Sequence, residues 1–261
     1  MNIALNSLLA LWADLAWNLF RVAGFFMDAP IFGNQLVPAR VRLTISVAVA
    51  VALVPVLGGA PALAQFDVGT FVDLALQLLM GIGIGFSAIV FFQLFVVAGQ
   101  FIGMQMGLGF AAMVDPGNGV QVTVWSQFFL MLVTLSFLAL NGHLVLLDIL
   151  VKGFALSGEV FSLDAREFAY GLAAMGGWMF AGGVLLAIPA VASLLIVNIS
   201  FGIMNRSAPQ LNVFSLGFPF GLLFGLAIIW FLLHGWIDQF QRLIESFFSI
   251  VSDLIPQTGG A

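Results

Sequence analysis

The sequence has no cysteine, one tyrosine, two histidines and few charges, with charged residues making up 7% of 261. Without cysteine there is no disulfide, no thiol nucleophile and no thiolate metal site. So little charge is foreign to a soluble domain, which carries about 25% charged residues. Twelve acidic against seven basic side chains leave a formal net charge of −5 and a pI near 4.6. With no basic stripe, the chain offers nothing to nucleic acid. His143 and His234 lie far apart, and neither has a histidine or carboxylate at zinc-motif spacing. His143, beside Asn141 and Gly142, reads as a helix-end residue rather than a base. No lysine follows a glycine cluster, so there is no phosphate-binding loop. Gly107-Leu108-Gly109 lacks the strand context of a dinucleotide site. Ser126, His143 and Asp148 could be named as a triad, but nothing in the sequence brings them together. No cofactor, metal or catalytic residue is expected, and the chain does not read as an enzyme.

What the sequence has is apolar length: 62% hydrophobic residues and a mean hydropathy of +1.16. This composition predicts an all-α, polytopic membrane-associated protein with long, broken hydrophobic helices. The start lacks the basic region of a signal peptide and carries Asp14 within its apolar run, so it is expected to be retained. The first apolar segment runs from about Ile3 to Met27 and ends at Asp28-Ala29-Pro30. Its charges, Asp14 and Arg21, are seven apart and share one helix face, which is expected to pack on another helix or subunit, or to lie partly out of the hydrocarbon.

A second segment, about Leu43 to Leu57, is short against the roughly 20 residues of a span. The third starts near Phe71 and is too long for one straight crossing. The fourth, about Val122 to Leu147, closes on Asn141-Gly142-His143, and a polar loop is expected from Asp148 to Glu167. The fifth, Phe168 to Gly202, contains Pro189 and two glycine pairs, and reads as one kinked helix or two shorter ones. A polar island, Asn205 to Asn212, precedes the sixth segment, Val213 to His234. Over six spans the basic residues outside the first segment divide equally, Arg40, Arg42 and Arg206 against Lys152, Arg166 and Arg242, so the positive-inside rule gives no orientation.

The centre of the chain is residues 99–119, GQFIGMQMGLGFAAMVDPGNG. No charge occurs from Leu74 to Val114, or from Pro116 to Leu147, so Asp115 stands alone between two apolar runs. Glycine permits backbone angles other residues resist, and methionine adapts to irregular gaps, so this stretch can form a tight, deformable loop or simply a turn between helices. Gly99, Gly103 and Gly107 recur at four residues, as do Gly217, Gly221 and Gly225. Such stripes let helix backbones approach closely. At the end, from about 233 to 255, Leu233, Ile237, Phe240, Ile244, Phe247, Val251 and Leu254 alternate spacings of four and three. They predict an amphipathic helix. Its polar face is acidic, which favours docking on protein over lying on a bilayer.

Residues 99–116, GQFIGMQMGLGFAAMVDP, and 205–219, NRSAPQLNVFSLGFP, resemble the two signature regions of the FliR family, flagellar biosynthetic proteins of the type III export apparatus. Ala29-Pro30, the Pro38–Arg42 stretch and Asn141-Gly142-His143 fit the same order, so the resemblance covers nearly the whole chain. The virulence type III homologues share the Ala208–Asn212 region, whereas Gly217-Phe218-Pro219 is similar to the flagellar form.

The resemblance implies a single helical export-gate domain over residues 1–261, in the bacterial inner membrane and the flagellar basal body. It implies FliP and FliQ homologues as partners in the gate, an FlhB homologue around it, and unfolded flagellar subunits passing through. It also implies that the loop from Met104 to Gly119 plugs the closed channel. Met104, Met106, Leu108, Phe110 and Met113 would form an apolar seal that resists ions by dewetting. Gly107 and Gly109 would let it move, and Asp115 with Pro116 would fix its end, with Arg206 as one candidate cation for Asp115. Gly99, Gly103, Arg206, Pro209, Gly217, Gly221 and Gly225 are the expected packing or subunit-interface residues. A secondary transporter and a pore-less scaffold are the alternatives from other classes. The transporter reading lacks intramembrane polar groups and an obvious inverted repeat.

Overall fold

The apolar runs fold as helices because nothing inside them offers the backbone another partner. The computed structural model describes residues 2–33, 37–57, 68–109, 123–155, 165–207 and 213–255. All regular structure among these residues is helical: α1 (Asn2–Asp28), α2 (Ala39–Leu57), α3 (Val68–Gln105), α4 (Val124–Ala139), α5 (Gly142–Ala155), α6 (Ala165–Ser207), α7 (Val213–Leu233) and α8 (Trp236–Leu254). The protein is thus an all-α, polytopic membrane protein. Among the described residues, Ala39–Leu57, Gly69–Gln105 and Arg166–Met204 are each long and apolar enough to cross a membrane. Val124–Ala139 with Gly142–Phe154, and Pro219–Leu233 with Trp236–Leu254, are pairs bent by 67° that could each count as one further span. Among the described residues, the six spans of the sequence reading therefore become three to five candidates.

Three local expectations change, and one left between two alternatives is decided. α2 begins at Ala39 rather than Leu43, taking in Arg40 and Arg42, and reaches span length. Its two hydroxyls bond within the helix, Thr44 Oγ1 to Arg40 O at 2.9 Å and Ser46 Oγ to Arg42 O at 2.8 Å. That self-sufficiency is what an apolar medium demands of a polar side chain. The polar loop expected from Asp148 is helical as far as Ala155, supported by the ion pair of Lys152 Nζ with Asp148 Oδ2 at 2.6 Å, one turn apart. α6 runs unbroken through Pro189 and both glycine pairs, so the one-helix alternative is the correct one. Gly107 lies beyond α3 and does not extend the stripe of Gly99 and Gly103.

The bend between α4 and α5 has a residue-level cause. Asn141 adopts a left-handed conformation, φ 55°, which asparagine tolerates better than most residues. Its carbonyl then accepts from Leu144 N at 2.9 Å, starting the next helix in a new direction.

The chain divides into two compact units. The first comprises Met1–Val90, Asn141–Met175 and Phe247–Ala261. Here α1 crosses the first part of α3 closely enough that a side chain at Gly85 would meet Phe25 O at 2.8 Å. At Gly81 it would meet Arg21 C and Phe25 N, both at 2.9 Å. Arg21 is sealed in this crossing, 1% exposed. Its Nε donates to Gln77 Oε1, and the guanidinium lies 4.1 Å from the Phe154 ring centroid.

The second unit comprises Phe91–Leu140 and Gly176–Ser246. Its core is aromatic: Phe91 packs with Phe95, Phe137, Trp178 and Phe240. Trp236 contacts Phe95 and Phe129, and its indole Nε1 donates to Ser136 Oγ at 2.9 Å. Along α8 the buried residues are Trp236, Phe240 and Ile244 in this unit, and Phe247, Val251 and, just beyond the helix end, Ile255 in the first unit. The amphipathic helix therefore docks on protein. At its start the seam is carried by Trp236, not by Ile237, which is 53% exposed.

Candidate functional site

The second unit contains the end of α3 and both anchors of the central loop. α3 ends because Gly107 takes φ 86°, a left-handed conformation glycine adopts without strain. Gly107 N donates to Met104 O and Leu108 N to Gly103 O, both at 3.0 Å. This pair of bonds is the Schellman arrangement, which satisfies carbonyls left free at a helix C-terminus. Just before it, Met106 turns inward and is 3% exposed. A side chain at Gly225 of α7 would collide with its Sδ and Cγ at 2.7 Å, and Gly221 faces its carbonyl at 3.7 Å. Two glycines of the α7 stripe thus make the seat of Met106, while Met104 is 56% exposed. Leu108 and Gly109 are half-buried.

The chain returns at Thr123, the N-cap of α4, with an extended backbone (φ −67°, ψ 157°) and a side chain that accepts from Ser126 N. Thr123 N donates to Gln100 Oε1 at 3.0 Å, and Thr123 Oγ1 donates to Gly99 O at 3.2 Å. Ser126 Oγ donates to Val96 O at 2.9 Å, with Gln100 Oε1 at 3.2 Å. Only glycine fits beneath this contact. A side chain at Gly99 would meet the Ser126 backbone at 2.7 Å, and one at Gly103 would meet Thr123 Oγ1 at 2.7 Å. Asn198 Nδ2 of α6 donates to Gln105 O at 3.3 Å, adding a third element to the end of α3.

The structure therefore brings Gly99, Gly103, Met106, Gly107, Gly221 and Gly225 together at one helix end. Gly217 is half-buried near the start of α7. Arg206 stands exposed in the last turn of α6, where a cation complements the helix dipole. Phe110, Met113, Asp115, Pro116 and Pro209 lie outside the described residues. Sequence reasoning gave Gln100 and Thr123 no role and considered Ser126 only as a member of a triad that nothing brings together. The available signals were a threonine three residues before a serine at the head of an apolar run, which is an N-cap pattern, and a glutamine within an apolar helix.

The second unit also has an open groove of about 360 Å³ between Pro189 and Ser193 of α6 and Phe224, Ile228 and Phe231 of α7. Its walls are apolar, and its one hydroxyl, Ser193 Oγ, donates to Pro189 O at 2.7 Å. Among the described residues no group of three or more histidine, aspartate or glutamate side chains could hold a metal ion.

A sequence profile described as bacterial export proteins, family 1, matches residues 12–247. The chain is 35% identical over 255 residues to the flagellar biosynthetic protein FliR of Escherichia coli K12, covering 94% of each. It is 32% identical to the protein of the same name from Bacillus subtilis 168, over 82% of this chain and 84% of the relative. Against that from Aquifex aeolicus it is 31% identical, over 80% and 81%. With its long apolar helices, this membrane protein belongs to bacterial export proteins, family 1, the FliR family of flagellar biosynthetic proteins.

Proposed function

We propose that the chain works in the flagellar type III protein export gate of the bacterial inner membrane. There, with FliP and FliQ homologues and an FlhB homologue alongside, it forms the channel for unfolded flagellar subunits. The whole of 1–261 acts as one helical export-gate domain, and the loop leaving at Gly107 and returning at Thr123 plugs the closed pore.

The observation that carries this reading is the anchoring of that loop at both ends. The Schellman cap and the Met106 seat fix its departure, and Thr123 on Gln100 and Gly99 fixes its return. Between the anchors the sequence is apolar and small, FAAMVDPGNGVQV, with Asp115 its one charge. A constriction of such side chains resists water and ions by dewetting, and its glycines lower the cost of displacing it. Firm anchors on either side of an apolar, glycine-bearing sequence suit a seal that must yield to a passing chain. Complementation tests the assignment. In a bacterium lacking its own FliR, this chain restores swimming and secretion and co-purifies with FliP and FliQ. Stable insertion without secretion or co-purification would contradict it.

A further inference from the structure

We propose that α2 holds an anionic phospholipid on its outer face, with the headgroup on Arg40 and an acyl chain along Leu43, Val47 and Val51. The proposal stands apart from the plug reading. α2 has 19 residues, a length of about 29 Å at 1.5 Å per residue, which matches the roughly 30 Å of hydrocarbon in a bilayer. It is also the most open of the three span-length helices. Only 11% of it is buried within the chain, against 67% for Gly69–Gln105 and 28% for Arg166–Met204.

The two arginines of its first turn point to different faces, because residues two apart on a helix are separated by about 200°. Arg42 shares a face with Ser46 and Ala50, both buried, and its Nη1 donates to Met27 O of α1 at 3.3 Å. Arg40 is exposed and shares a face with Leu43, Val47 and Val51, all exposed. Thr44 lies on that face too, but its hydroxyl already bonds Arg40 O. The outer face is therefore one cation above a hydrocarbon stripe. From Arg40 to Val51 the helix rises about 16 Å, against about 15 Å for half the hydrocarbon thickness. A charge at one end and apolar side chains over one leaflet's depth is the pattern of a phospholipid.

Charge selects which phospholipid. A cation in the first turn of a helix is disfavoured by the dipole. Neither Arg40 nor Arg42 forms an ion pair among the described residues. Asp28, the carboxylate beside Met27, lies instead against α3, where a side chain at Gly85 would meet its Cβ at 3.2 Å. An anionic headgroup supplies the missing charge, and the guanidinium fork fits phosphate oxygens in pairs. A zwitterionic headgroup brings its own ammonium and leaves the site positive. A partner helix bearing a carboxylate is the other way to cover this face, and the test separates the two.

The test uses the full chain in complex with FliP and FliQ homologues, in mixed phosphatidylethanolamine and phosphatidylglycerol vesicles. A trace of either lipid, carrying a photoreactive diazirine in its acyl chain, is cross-linked and the modified peptides are mapped. Phosphatidylglycerol labels Leu43–Val51 about fivefold more than phosphatidylethanolamine, the contribution of one arginine near an anionic surface. Arg40→Gln abolishes that preference, and Arg40→Lys keeps it. Equal labelling by the two lipids in the parent, a comparison that needs no variant, overturns the proposal. So does a preference that survives Arg40→Gln. Labelling elsewhere in the complex with none on α2 identifies a protein occupant and overturns it as well.

Discussion

Arg21 shows how one residue can hold a membrane protein's helices in register. A guanidinium sealed from solvent is costly unless every face of it is occupied. Gln77 accepts from Nε, Met80 Sδ lies 3.7 Å from Nη2, and the Phe154 ring covers the plane. Arginine suits this site because its planar fork can donate in the plane and stack across it at once. Gln77→Leu removes the acceptor and destabilises the fold by about 1–3 kcal/mol, and Phe154→Leu by about 1–2 kcal/mol. Thermal unfolding of the detergent-solubilised chain reads both, and unchanged melting in either variant contradicts this account of the cluster. The sequence marked Arg21 as a charge needing company, through its seven-residue spacing from Asp14. It could not show Gln77 or Phe154, since those contacts join residues more than fifty positions away. The same limit hid the bond from Thr123 to Gln100, whereas the glycines beneath it were visible as a repeat.

Among the elements, α8 separates two uses of amphipathic sequence. A helix lying on a bilayer loses little when one apolar residue shortens, whereas a docked helix loses a fitted contact. Phe240 is fully buried among Phe91, Phe95 and Trp236, so Phe240→Ala costs about 3–5 kcal/mol. Ile237→Ala, on the exposed side, stays within about 0.5 kcal/mol. Limited proteolysis between α7 and α8 distinguishes them, and equal sensitivity of the two variants argues against docking. Periodicity made α8 legible, but of its expected seam Leu233 ends α7 and Ile237 is exposed, and packing selects Trp236 instead. Composition also overstated the breakers. Pro189 cannot donate to the carbonyl four residues back, yet α6 continues through it. Conversely, the charges of Asp148 and Lys152 read as loop and turned out to brace a helix.

For the whole molecule, helix length constrains the surroundings. α3 has 38 residues and α6 has 43, contour lengths of about 57 and 65 Å at 1.5 Å per residue. The hydrocarbon layer is about 30 Å thick, and tilts of up to about 40° do not absorb the difference. Exposed apolar side chains nonetheless continue along α6 from Tyr170 through Leu185 and Ile196 to Met204. Lipid alone cannot cover them all, so partner subunits are the natural complement, as the export-gate reading requires. Hydropathy found the apolar segments correctly. It could not count the crossings, because the 67° bends after α4 and α7 are features of three-dimensional geometry, the first set by the left-handed Asn141. The most direct measurement is ion conductance of the complex with FliP and FliQ homologues in planar bilayers, with and without Gly107–Val114. A tight parent complex and a persistent leak after deletion are expected. An intact deletion complex that remains ion-tight would contradict the plug reading and place the seal in another subunit.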